Sequence, residues 1–223
     1  MPRALVVIAA CALLVIIGGQ RVKAGAQAGG PEITDEQRAA TLNVESVSLQ
    51  DRAWIRSAIA SARPEAQRLI AEVDGLVDVR TTLNAPGTIH LGGDTSQAIG
   101  LTVATGGRAT IDLDVRMLNG ERAIDRNMVV LHELGHVVDY LLVDDTLVAE
   151  LDAGIPLAGE CRSSTQVSGE CTAVPERFAD TFAKWALRGR FSLAGSGYGI
   201  PTPPSLEDWG RPLGRLALQL TGG

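Results

Sequence analysis

Residues 132–136 read His-Glu-Leu-Gly-His, a complete H-E-x-x-H inside an apolar run from Met128 to Val143. On an α-helix, residues four apart lie one turn up and about 40° round, so both imidazoles point the same way. Two neutral ring nitrogens can then share one zinc ion. Glu133, on the adjoining face of the same turn, can reach a water at the open position of the metal. Each letter has a chemical reason: two nitrogen ligands, one carboxylate base, and a helix rigid enough to hold them. The plain alternative is a buried amphipathic helix whose histidines merely fall four apart. Asp125 is the expected N-cap of this helix, which runs to about Leu142. Val130, Leu134, Val137, Val138 and Leu141 supply its core-facing bulk. Gly135 costs the helix ~1 kcal/mol relative to alanine. Close approach of another backbone is a reason to keep it, though packing alone also serves.

A catalytic zinc needs three protein ligands and one open position. A histidine further along the same segment is one solution, but the chain has Asp139 and Leu142 where that metzincin pattern needs Gly and its third His. The other common solution takes a Glu from a later helix. The segment Pro175-Glu176-Arg177-Phe178-Ala179-Asp180 fits it, with Glu176 opening a helix and Asp180 one turn on along the same face. Glu176 would then ligate the metal. Asp180 would accept a hydrogen bond from the far nitrogen of a ligand histidine, fixing its tautomer. The competing account of both acids is a first turn complementing the helix dipole.

Around these segments the pattern is mixed. Trp54, Ile55, Ala58 and Ile59 form a helical stripe from Asp51, and Pro64 opens a second helix with Leu69, Ile70 and Val73 on its apolar side. Asp74-Gly75 ends that helix. Three short β-type runs follow, at residues 76–83, 88–91 and 99–104. The Gly106-Gly107 pair then turns the chain into Ala109–Val115, where apolar residues alternate with Asp112 and Asp114. A small half-buried sheet, antiparallel or mixed, fits these runs. Leu147–Leu151 reads as a short helical turn, and residues 152–174 as a polar loop. A last clear helix spans Pro175 to about Leu187, with Phe178, Phe182 and Trp185 on one stripe. The remainder is rich in Pro and Gly until Leu213–Leu220. The fold class expected is α+β, as one domain over residues 51–223.

The chain of 223 residues opens Met1-Pro2-Arg3 and is apolar from Ala4 to Ile17. A basic start, a short apolar stretch and small residues at Ala24-Gly25-Ala26 or Ala26-Gln27-Ala28 read as a secretory signal peptide over residues 1–28. The alternatives are a membrane anchor, short against the ~20 residues a span needs, and lipidation at Cys11, which lies mid-run. Residues 29–50 would be a flexible segment or short prosegment. Cleavage removes Arg3, Arg21 and Lys23 and no acid, so 20 basic against 26 acidic residues becomes 17 against 26. Such a chain repels a phosphate backbone, so no nucleic-acid partner is expected. Nor is stable membrane association after cleavage. Arginine outnumbers lysine 18 to 2, the bias of a GC-rich bacterial genome. The mature chain keeps two cysteines, Cys161 and Cys171, which in an exported protein read as a disulfide. They lack the C-x-x-C spacing of a zinc-thiolate site.

His132-Glu133-Leu134-Gly135-His136-Val137-Val138-Asp139, followed by Glu176-Arg177-Phe178-Ala179-Asp180-Thr181-Phe182-Ala183, resembles the gluzincin zinc metallopeptidases, nearest in pattern to the catalytic domains of the anthrax lethal factor group. The resemblance covers about 60 of 223 residues. It implies a zincin-like domain with a sheet packed on the metal helix, an edge strand that pairs with the substrate backbone, and one zinc per chain held by His132, His136 and Glu176. It makes Glu133 the base, and Asp139 and Asp180 outer partners of the ligands. It also implies a tyrosine shortly before the ligand Glu, as a hydrogen-bond donor to the transition state. The chain has no tyrosine between Tyr140 and Tyr198, leaving Tyr198 or His90 as substitutes. The activity implied is an exported endopeptidase acting on peptides or proteins. Its rivals are a non-catalytic extracellular binding protein that keeps the zincin fold, and a zinc hydrolase of non-peptide amides.

Overall fold

The structure, a computed structural model, describes residues 47–81, 98–118, 124–157, 172–191 and 199–221. These form a mixed α+β fold of six helices and one three-stranded sheet: α1 (Leu49–Ser61), α2 (Pro64–Glu72), β1 (Val77–Arg80), β2 (Gly100–Thr105), β3 (Arg108–Leu113), α3 (Arg126–Leu142), α4 (Asp145–Ala153), α5 (Val174–Ala186) and α6 (Leu206–Thr221). No helix among the described residues is long and apolar enough to cross a membrane. Residues 1–46, with the apolar stretch Ala4–Ile17, lie outside them. Val47 is buried and α1 begins at Leu49, so the folded region reaches into the 29–50 segment.

Local chemistry sets the first helices. Ser48 caps α1, its hydroxyl oxygen accepting from the Asp51 amide at 3.1 Å while the hydroxyl proton goes to Asp51 Oδ2 at 2.7 Å. Ile55 and Ala58 of α1 are buried, with Trp54 and Ile59 packed half-buried beside them. The chain leaves α1 in extended conformation at Ala62 and Arg63, as a residue before proline must, and Pro64 restarts it as α2.

In the sheet, β3 lies between the other two strands. β1 pairs with it in parallel and β2 antiparallel, so the sheet is mixed. The β2–β3 hairpin turns on Gly106 and Gly107, whose φ of 58° and 77° suit the primed two-residue turn that matches strand twist. Among the described residues β2 is an edge strand, and it lies against α3. The expected alternation through Val115 stops at Leu113. Asp114 is buried, its carboxylate gripped by the Arg116 guanidinium at 2.8 and 3.0 Å and its carbonyl accepting from Met117 and Leu118 in a turn. The expected run at 88–91 lies outside the described residues.

α3 is the middle of the fold. It packs on α5, on α1 and on β2, and every residue from Met128 to Asp139 is buried. A helix enclosed on all sides needs no polar face, so its polar residues, His132, Glu133, His136 and Asp139, are buried among apolar ones. Asp125 caps it as expected, accepting from the Asn127 and Met128 amides at 3.1 Å. Between α5 and α6, Phe178, Phe182, Trp185 and Trp209 form a chain of ring contacts that seats α6. That helix starts at Leu206, seven residues before the apolar stretch that the sequence suggested. It runs through Pro212, and Gly210 lets the Trp185 indole sit against its backbone. Burial of Trp209, Leu213 and Ala217 outweighs the hydrogen bond that proline removes.

Candidate metal centre

Two helices bring three donors together. On α3, His132 and His136 are both buried, and their Nε2 atoms stand 3.1 Å apart. On α5, with Pro175 in its first turn, Glu176 is 2 % exposed. Its Oε2 lies 3.2 Å from His132 Nε2, and its Oε1 3.5 Å from His136 Nε2. Donors ~2.0–2.1 Å from a tetrahedral zinc ion are separated by ~3.3 Å. The imidazole pair at 3.1 Å is close to that, and Glu176 presents a different oxygen to each imidazole, at 3.2 and 3.5 Å. Among the described residues this buried trio is the one group of His, Cys, Asp and Glu side chains whose ligand atoms gather closely enough to hold a metal ion. Its chemistry fits a cation. Three polar atoms converging in the interior are costly unless something positive shares them.

Protonation in the metal-free chain follows the same logic. Burial opposes ionisation of Glu176, yet His136, and hydrogen bonds with His132 and His136, hold its pKa down at about 2. Burial likewise opposes charge on His136, but Glu176 overcomes this, with Glu133 and Asp139 adding to it, and its pKa is raised above the ordinary histidine value. The raised pKa favours a proton on His136, which a metal ion binding there would have to displace. A raised pKa keeps that proton in place to higher pH. Metal affinity is accordingly expected to climb from pH 6 to pH 8, by up to about tenfold per unit for each proton displaced. Zinc competition titrations at the two pH values check this, and an affinity that does not change with pH contradicts it.

The approach of the two helices depends on Gly135. A Cβ there would lie 2.9 Å from Ala179 Cα, 3.1 Å from its carbonyl oxygen and 3.2 Å from Phe182 Cδ1. Backbone cannot yield as a side-chain tip does, so a methyl group pushes α5 away, with Glu176 three residues from the contact. Helix propensity alone makes Gly135→Ala stabilising by ~1 kcal/mol. The expected result has the opposite sign: a net loss of ~1 kcal/mol from overpacking, a Tm lower by ~2–4 °C, and weaker zinc binding. A raised Tm in thermal unfolding removes the close-approach argument.

Around the trio, Glu133 is fully buried, and burial pushes its carboxyl pKa up against the pull of His132 and His136. Its Oε2 accepts from the Thr102 hydroxyl at 2.7 Å. Asp139 is buried and acts electrostatically on His136. Asp180 is buried, coupled to His132, and ion-paired with Lys184 Nζ at 2.5 Å. Lys184 also donates to the Ile200 carbonyl at 2.6 Å, tying the strap at residues 199–200 to α5. Arg177 anchors α5 on the other side, through Asp152 of α4 at 2.7 Å. Tyr198, His90, Cys161 and Cys171 lie outside the described residues.

Thr102, Gly100 and Lys184 were not singled out from the sequence. Gly100 was the available signal, since a glycine inside a strand marks a bulge or a close approach. No protein-family model matches the chain, and neither does any curated protein or solved structure compared with it.

Proposed function

We propose that this protein is an exported zinc-dependent endopeptidase of gluzincin type, with a zincin-like domain built on α3, α5 and the mixed sheet. The observation that carries the reading is the convergence of Glu176 on the histidine pair from 40 residues further along the chain than His136. A first-turn acid serving only the helix dipole has no reason to point its carboxylate into a buried imidazole pair.

His132, His136 and Glu176 hold the ion, two nitrogens and one carboxylate oxygen. Zinc, when bound, supplies Lewis acidity toward the scissile carbonyl and lowers the pKa of a water. Glu133 takes one proton from the attacking water as its oxygen bonds to the carbonyl carbon. The same carboxyl then delivers that proton to the leaving nitrogen as the C–N bond breaks. Asp139 acts on His136, and Asp180 on His132, by charge from within the same buried region. Tyr198 and His90 are the candidates for a donor to the developing oxyanion. The substrate is a peptide or protein. The apolar N-terminal stretch acts as a signal peptide, and Cys161 and Cys171 form a disulfide in the exported chain.

The test is hydrolysis of a broad peptide pool by the purified mature chain, read by mass spectrometry. Cleavage is expected to stop with chelator and return with zinc. Stoichiometric zinc without cleavage of any peptide points to the binding-protein rival. Cleavage of simple amides but not peptides points to the third reading.

A further inference from the structure

Glu133 lies against a strand as well as beside two histidines. Thr102, in the middle of β2, is 1 % exposed. Its hydroxyl is 2.7 Å from Glu133 Oε2 and 3.2 Å from the Glu133 carbonyl oxygen. A hydroxyl has one proton to give, and the shorter contact, to a carboxylate, takes it. The other carboxylate oxygen, Oε1, is buried with no hydrogen-bond partner. It faces Gly100, where a Cβ would fall within 2.3 Å of Oε1, 2.7 Å of Cδ and 2.8 Å of Cγ. Residues 100 and 102 share one face of β2, since side chains alternate along a strand. From that face the two oxygens of a single carboxylate are treated differently. One is tied to a hydroxyl, and the other occupies room that exists only because position 100 has no side chain.

We propose that Thr102 is a positioning residue for Glu133, anchoring Oε2 on β2 so that Oε1, in the space left by Gly100, is the oxygen that takes the proton from water. This rests on the reading of Glu133 as the base. The physical need is plain. A glutamate has three rotatable bonds, and a reacting atom displaced by ~1 Å can cost ~10²-fold in rate. A single strong hydrogen bond to the non-reacting oxygen removes that freedom without occupying the reacting one. If Thr102 did no more than satisfy a buried acid, its loss would lower stability and leave turnover unchanged.

The experiment compares Thr102→Val, which keeps the shape and removes the hydroxyl, with Thr102→Ser, which keeps the hydroxyl. Zinc affinity is expected to match the parent in both, because no ligand is touched. In crystal structures the Glu133 carboxylate holds one position in the parent and in Thr102→Ser, and is rotated or split in Thr102→Val. On a peptide substrate Thr102→Val loses ~10²-fold in kcat with KM unchanged, and Thr102→Ser recovers to within a few-fold of the parent. The proposal is overturned if Glu133 keeps its place in Thr102→Val, if kcat is unaffected, or if Thr102→Ser is as slow as Thr102→Val. Should the valine variant not fold, Thr102→Ala removes the same hydroxyl without added bulk and is read the same way. A parent that cleaves no peptide counts against the peptidase reading, and the crystallographic comparison then decides the role of Thr102 by itself.

Discussion

Glu133→Gln is expected to keep parent-like zinc content and to hydrolyse peptides ~10²–10⁴-fold more slowly, the usual contribution of a positioned general base. The substitution changes little but the chemistry. Glutamine has the same length and volume, so the space beside Gly100 stays filled. Its amide oxygen can still accept from Thr102, and the three donors on His132, His136 and Glu176 are untouched. An amide cannot take a proton from water at neutral pH, so the loss falls on kcat. Metal content by mass spectrometry and steady-state kinetics on one cleaved peptide, measured on the same preparation, check both halves. A variant as fast as the parent shows that Glu133 is not the base. A variant that loses zinc places Glu133 in the ligand set instead.

Glu176→Ala is expected to weaken zinc binding by well over the ~10–100-fold that loss of an outer partner costs. Two buried imidazoles remain without the carboxylate that lies directly against both of them, so a ligand and its charge are missing together. The effect is distinguishable from unfolding. Glu176 is in the first turn of α5, and the contacts that hold that helix, Gly135 against Ala179 and the aromatic chain through Phe178 and Phe182, do not involve it. Competition titration gives the affinity, and circular dichroism gives the fold. Parent-like affinity in a folded Glu176→Ala chain means that another group completes the site, and the pairing of α3 with α5 is then not what binds the metal.

The sequence was most legible where the signal is local. Asp125 as N-cap, the start of α2 at Pro64, the turn at Gly106-Gly107 and the helical stripe of Phe178, Phe182 and Trp185 all depend on interactions within a few residues, and the structure has each in place. It was least legible where a partner distant along the chain overrides local preference. Pro212 reads as a helix breaker and is inside α6, because the aromatic surface of α5 supplies enough burial to keep the helix running. Asp114 continues an in-and-out alternation by sequence, yet it leaves the strand and is buried, since Arg116 two residues on neutralises it.

The same division runs through the candidate metal centre. Spacing alone aligns the two imidazoles, because an α-helix puts residues four apart on one side whatever surrounds it. It also makes Glu133 their neighbour. Whether the later acid reaches them is a question of helix packing, and its answer lies in the contact of Gly135 with the Ala179 backbone, a distance that no periodicity encodes. The setting of the Glu133 carboxylate is likewise tertiary. It takes a strand some thirty residues earlier, presenting one hydroxyl and one missing side chain to the metal helix. Ligand types follow from the order of residues. Their convergence follows only from how closely two backbones can approach, which is decided by the volume of side chains far apart in the chain.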